Sequence, residues 1–274
     1  MIPLVDSLAH PTVTGKWLEQ NLNSLFSSLV KDLKDNEFAF ACAVGLAGIE
    51  GYSHESFIKE CNKYNMLIPI AGFNLNTTKS PKEEIAYIKQ LGYKGIKIHP
   101  RFSSVDLENN NLDQIFNLAA DCGMIVFYCT YNYCDLKNYS TVDPFYSLVK
   151  ILKKIPEAKV ILIHGGDVQL LRYAELVRFN SNLLLDLSLT IMKYKDSSVD
   201  QDIQFLFNSF DERICIGTDH PEYSHAALRE RFDYFSKNIT KEKKENIAYK
   251  NLLNFLDLKE LELEIKRKRM IPSV

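Results

Sequence analysis

Histidines, an aspartate, a lysine and a cysteine recur at matching places along this chain of 274 residues. His10, His99 and His164 each close an apolar run and are followed directly by Pro or Gly. Asp219 closes another run, with His220 beside it; Lys97 stands two residues before His99, and Cys129 ends a further run. Neutral imidazole and carboxylate are ligands that a divalent transition metal accepts. Water on such an ion ionises near pH ~7, and a neighbouring acid can shuttle its proton. One histidine at a strand end is more commonly a hydrogen-bonded structural residue. Three at equivalent ends, with an aspartate, point to a functional pocket.

The elements that must position these residues are legible as an alternation. Apolar runs at 3–10, 38–45, 66–73, 94–99, 124–130, 159–164, 183–189 and 214–218 read as strands, separated by amphipathic stretches. The repeat comes roughly every 30 residues, the length of a βαβ unit. Near-continuous apolar runs suit parallel strands covered on both faces. Residues 81–91 open with Pro and acids, as a helix start prefers, and 145–155 place apolar groups at i, i+3 and i+4. Eight such units predict an α/β fold of the (β/α)₈ TIM-barrel type in one domain spanning 1–274. No Gly-x-Gly-x-x-Gly follows the first strand, which makes a dinucleotide-binding doubly wound sheet the weaker alternative. Barrel chemistry sits at the C-terminal strand ends, where the residues above fall. Strict alternation would put Asp6, Leu8 and His10 on one face, and Lys97 and His99 likewise.

Composition removes several classes. Thirty-three basic against 35 acidic residues give a net charge of -2, without the basic footprint that nucleic acid demands. The one basic run, Lys266 to Arg269, reads as a solvated helix end. Six cysteines, none in a Cys-x-x-Cys pair, do not make a disulfide framework. No stretch is long enough to span a membrane, and no charged n-region leads an apolar one. These features predict a cytoplasmic protein acting on a small molecule, with no nucleic-acid or membrane partner. A homodimer is compatible with them.

Four segments, VDSLAHP (5–11), GIKIHP (95–100), VILIHGG (160–166) and IGTDHPE (216–222), resemble strand-end motifs of the amidohydrolase superfamily. The likeness is to its branch that includes aminocarboxymuconate-semialdehyde decarboxylase, resorcylate decarboxylases and small lactonases. NIAYKNLLNFLDL (246–258) resembles the closing helix of that branch. The resemblance implies a distorted barrel holding one or two divalent metals. Carried over by position, His10 matches the second His of the strand-1 Asp-x-His-x-His motif. His164 matches the strand-6 His, and Asp219 the strand-8 Asp that accepts a proton from water. Two departures stand out: Leu8 replaces the first His of the pair, and Cys129 takes the place of the strand-5 His. The ligand set implied is His10, His164 and Asp219, with Cys129 or His99 as a fourth, around one zinc or manganese ion. Asp219 and His164 are the implied catalytic groups. A binuclear site bridged by a carboxylated Lys97 does not go with an incomplete strand-1 pair.

Lys97, His99 and Arg101 are the candidates for anchoring a substrate anion. Tyr128, Tyr131 and Tyr133 could line a pocket for a sugar or ring. Asp186 reads as a hydrogen-bonded barrel residue, and His54 and His225 as solvent-exposed loop residues. The resemblance implies a metal-dependent hydrolase of an ester, lactone or amide of a small carboxylic or sugar-derived substrate. The alternatives are a non-oxidative decarboxylase on the same fold, or a degenerate barrel that binds without turnover.

Overall fold

The structure is a computed structural model that describes residues 1–18, 20–75, 80–100, 111–131, 133 and 142–270, with backbone alone at 111 and 268–270. Arg101 and Cys134 lie outside the described residues. Eight strands run β1 (Leu4–Ala9), β2 (Phe38–Val44), β3 (Leu67–Gly72), β4 (Gly95–Ile98), β5 (Ile125–Cys129), β6 (Val160–Ile163), β7 (Leu183–Asp186) and β8 (Ile214–Cys215). Each pairs in parallel with the next, in the order β1 to β8. Each lies within one of the predicted apolar runs. The largest shortening is at β7 and β8, where the polar ends of the runs leave the sheet.

The helices follow the alternation: α1 (Phe26–Asp35), α2 (His54–Cys61), α3 (Pro81–Gln90), α4 (Asn111–Asp121), α5 (Pro144–Lys154), α6 (Leu170–Arg178), the short α7 (Thr190–Lys193), α8 (Val199–Ser209) and α9 (His225–Ser236). α3 starts as its sequence requires, with Pro81 in the first turn and a reciprocal Ser80–Glu83 capping box. Burial is two-sided, as parallel strands demand: every residue of β1, β4, β5, β6 and β7 is buried. A helical tail closes the chain, α10 (Lys241–Glu245), one π turn, α11 (Asn251–Phe255) and α12 (Lys259–Met270). Asn251 donates its amide to the carbonyls of Asp211 (2.6 Å) and Ile214 (2.8 Å), tying this tail to β8. Among the described residues no helix is long and apolar enough to cross a membrane.

The seam between β1 and β8 needs more than two residues of strand. Ser7 N–H donates to Ile216 O (2.9 Å), Asp219 N–H to Leu8 O (2.9 Å) and His10 N–H to His220 O (2.7 Å). Asp6 adds the side-chain part. Its Oδ1 accepts from the backbone N–H groups of Leu8 (2.9 Å) and Thr218 (3.0 Å), and its Oδ2 from Thr218 Oγ1 (2.5 Å). A register shift between Asp6 and Ala9 marks a bulge in β1. An extra residue there breaks strict alternation, so the predicted common face of Asp6, Leu8 and His10 does not follow. Leu8 is fully buried in the apolar core.

Gly217 sits where the seam is tightest. A Cβ on it would meet Ser7 Oγ at 2.5 Å, Leu8 N at 2.8 Å and Asp6 Oδ1 at 2.9 Å. Gly217→Ala should therefore lower stability by about 1–3 kcal/mol, the usual range for overpacking. The urea midpoint measures this. An unchanged midpoint would mean that the seam can open without loss.

Candidate functional site

Strand ends β1, β4, β6 and β8 meet around a cavity of about 430 Å³. His10, Lys97, His99, His164 and Asp219 all line it. Two of these are held in backbone conformations that favour glycine: φ is 68° at His164 and 58° at Asp219. Such residues cost of the order of 1–3 kcal/mol each and persist only where the surroundings fix them. Gly165 and Gly166, at φ 59° and 81°, let the chain turn back directly after His164. The backbone of His164 is fixed by Asp186, whose Oδ2 accepts from its N–H (3.2 Å) while Ser7 and Ser188 hydroxyls donate to the same carboxylate. Asp186 is thus the internal hydrogen-bonding residue that its position inside the strand predicted.

The two imidazoles present the same nitrogen. His10 Nδ1–H donates to Val44 O (2.7 Å), and His164 Nδ1–H to Ser188 O (3.1 Å). A carbonyl only accepts, so Nδ1 carries a proton in both rings, and Nε2 holds the lone pair wherever the ring is neutral. Trp17 stacks on His10 at 5.2 Å between ring centroids, and its indole N–H donates to Glu222 (2.7 Å). His10 Nε2 lies 3.5 Å from Asp219 Oδ1. Burial, then the Lys97 charge, depress His10 to about 3, so its ring is neutral. Burial likewise pushes the Asp219 carboxyl up to about 7, against the attraction of Lys97. Lys97 itself is 1% exposed, and its Nζ has no hydrogen-bond partner. A buried ammonium facing a cavity with no acceptor on it is a place for an anion.

His10 and Asp219 are spaced as two ligands of one divalent ion would be. Two ligand atoms on one tetrahedral zinc stand ~3.3 Å apart, close to the 3.5 Å between His10 and Asp219. Carbonyl-fixed imidazoles are the usual outer support for such ligands. The trio is nevertheless wider than a closed coordination sphere. Among the described residues, only Asp32, His220 and His225 bring three donor atoms within 4.8 Å of one another. Cys129 is fully buried, with Sγ 3.7 Å from His99 Nε2.

Other predicted residues separate. Tyr131 lines the cavity, whereas Tyr128 packs on Phe116 at 5.8 Å. His54 and His225 are not solvent-exposed. The His54 side chain is 11% exposed and meets Glu84 at 2.7 Å, and His225 is fully buried between Asp6 and Asp32. Both open a helix behind a serine cap, and the polar sequence around them disguises that. Sequence reasoning missed Lys193, which joins the cavity from α7 with Nζ 2.8 Å from Tyr131 Oη and 3.5 Å from Asp167. Its only signal was its place in the loop after strand 7. Trp17, Gln20 and Glu222 were also missed; they carried no spacing signal.

No protein-family model and no curated protein matches the chain. Solved structures do. An uncharacterised TIM-barrel protein from Bordetella bronchiseptica superposes with a TM-score of 0.72 at 16% identity, covering 93% of this chain and 99% of that one. The fold is theirs. A probable 2-pyrone-4,6-dicarboxylic acid hydrolase from Acinetobacter baumannii, with citric acid bound, gives 0.69 at 16% identity over 94% of this chain and 100% of its own. A 5-carboxyvanillate decarboxylase from Novosphingobium aromaticivorans, complexed with manganese and 4-hydroxy-3-methoxy-5-nitrobenzoic acid, gives 0.64 at 14% identity over 93% and 96%. The predicted barrel is therefore the observed one.

Asp219 makes stability depend on pH in a defined direction. The folded carboxyl keeps its proton to about 7, above the 3.8 of an unperturbed aspartate. Its contribution is complete below the lower value and is lost as pH rises through the upper one. Under chelating conditions Asp219→Asn should be more stable than the parent at pH 8, by on the order of 1–3 kcal/mol. By pH 4 the gap should close. Urea unfolding at the two pH values checks this, and equal stabilities at pH 8 would mean that the carboxylate is well solvated or paired.

Proposed function

We propose that this chain is a hydrolase of the amidohydrolase superfamily that opens an ester, lactone or amide in a small anionic substrate. The observation that carries the reading is Asp219: a buried carboxyl balanced near neutral pH, across one cavity from a buried, unpaired ammonium. A general base works best when its pKa lies near the operating pH. The strand-end motifs and the barrel shared with a hydrolase and a decarboxylase support the superfamily. His10 and Asp219 would hold a zinc or manganese ion, with His164 the third donor. When bound, that ion would polarise the substrate carbonyl as a Lewis acid.

The chain's own groups account for the rest. Lys97 Nζ binds a substrate carboxylate, and His99 and Lys193 extend the polar wall around it. Asp219 takes the proton of the attacking water on a carboxylate oxygen and returns it to the leaving oxygen or nitrogen. The carbonyl-anchored rings of His10 and His164 keep their Nε2 atoms on the cavity without reorganisation. Trp17 stacks on His10 and lines the same cavity.

A panel of carboxylated lactones, aryl esters and amides, assayed with zinc and with manganese, tests the reading. Asp219→Asn should lower kcat by about 10²–10⁴, the range for losing an acid–base group. Lys97→Met should act mainly on KM, and only for substrates with a second carboxylate. Release of CO₂ from hydroxybenzoates, with no hydrolysis anywhere in the panel, would replace the hydrolase by a decarboxylase. Full turnover by Asp219→Asn would remove Asp219 from the chemistry.

A further inference from the structure

A second group of donors gathers where α1, the segment after β8 and α9 meet. Asp32, His220 and His225 each offer one ligand atom within 4.8 Å of the others, and none of the three lines the cavity. We propose that Asp32, His220 and His225 bind one divalent transition-metal ion, zinc by donor type, which pins α1 and α9 to the end of β8.

Four observations support this. Two imidazoles and a carboxylate from three separate elements are a normal zinc donor set, leaving the fourth position for water. His225 has the outer support of a metal-bound histidine: Nδ1 faces Asp32 Oδ2 (2.7 Å), while Nε2–H donates to the buried carboxylate of Asp6 (2.9 Å). His220 is 7% exposed, its ring centroid lies 5.8 Å from that of His225, and its buried Nε2 has no hydrogen-bond partner. A buried polar nitrogen left without a partner is costly, and a ligand bond removes that cost. The Asp32 side chain is 30% exposed, which gives an ion a way in.

Charge points the same way. The carboxylates of Asp6 and Asp32 flank His225 on both ring nitrogens, and one imidazolium would balance only one of them. The buried Nε2 of His220, which has no hydrogen-bond partner, is the nitrogen such an ion would take. A divalent ion with two neutral imidazoles balances both carboxylates. The 2.7 Å edge between His225 and Asp32 now holds a proton. Zinc bonds of ~2.0 Å would widen it by a few tenths of an ångström, which the partly exposed Asp32 side chain can absorb.

The test uses the full chain with His10→Ala and His164→Ala, so that the cavity keeps no metal-binding pair of imidazoles. After chelation and zinc addition this protein should retain about one equivalent of zinc and melt at a higher temperature than its metal-free form. Adding His220→Ala, or separately Asp32→Asn, should abolish both effects while circular dichroism shows the fold intact. Zinc retained by both folded variants, or no zinc in the parent, would overturn the proposal. In the latter case Asp6–His225–Asp32 is a hydrogen-bonded clasp and no more. If any variant fails to fold, a zinc-soaked crystal of the unaltered chain decides. An anomalous peak among Asp32, His220 and His225 supports the site; peaks only elsewhere overturn it.

Discussion

Asp6 is the constraint on which the rest of the barrel depends. A parallel barrel closes only if its last strand finds its first, and β8 is two residues long. Backbone pairing alone leaves that seam thin. The Asp6 carboxylate supplies what the strand lacks, by accepting from two backbone amides, one hydroxyl and one imidazole drawn from β1, the segment after β8 and α9. Such a carboxylate is worth having only if every acceptor site is filled, because an unpaired buried charge costs several kcal/mol. All four donors are local to the seam. The position of Asp219, one residue beyond Thr218, is therefore set by the same contacts that close the sheet.

Asp186 does the equivalent work on the other side of the site. It is fully buried, gathers Ser7, Ser188 and the His164 amide, and so couples β1, β7 and the end of β6. His164 and Asp219, both with left-handed backbones, are thus braced by a buried aspartate network. The strain at His164 and Asp219 is affordable because the carboxylates fix the chain before and behind it. Preorganisation here lies in the backbone as much as in the side chains.

The barrel was legible in the sequence because eight apolar runs with helix-length spacers carry the period of a parallel sheet. His10, His164 and Asp219 were legible because each ends a run, and a barrel displays strand ends on one face. What escaped had other causes. His225 sits among Ser, Glu and Tyr and looks solvated, yet its partners Asp6 and Asp32 lie 219 and 193 residues away in the chain. Long-range polar pairs leave no periodic trace. The bulge in β1 is likewise invisible to alternation, which assumes that every residue advances the pleat equally. Lys193 comes from the short α7 and Trp17 from the segment between β1 and α1, and their placement follows from the fold rather than from any local pattern.

The cavity's charge decides what Asp219 can do. Burial raises its pKa and Lys97 lowers it, and the two effects leave it near 7. A substrate carboxylate seated on Lys97 would cancel the lowering influence, so that the bound complex would favour the protonated acid. A divalent cation on His10 and Asp219 would act oppositely and favour the carboxylate. The first state is a proton donor, suited to delivering a proton to carbon; the second is a base, suited to activating water. Leu8 is part of the buried apolar core, and Lys97 is the one buried lysine without a hydrogen-bond partner among the described cavity residues. For the enzyme proposed above, the balance between ion and substrate in this cavity, more than any single side chain, would therefore separate hydrolysis from decarboxylation.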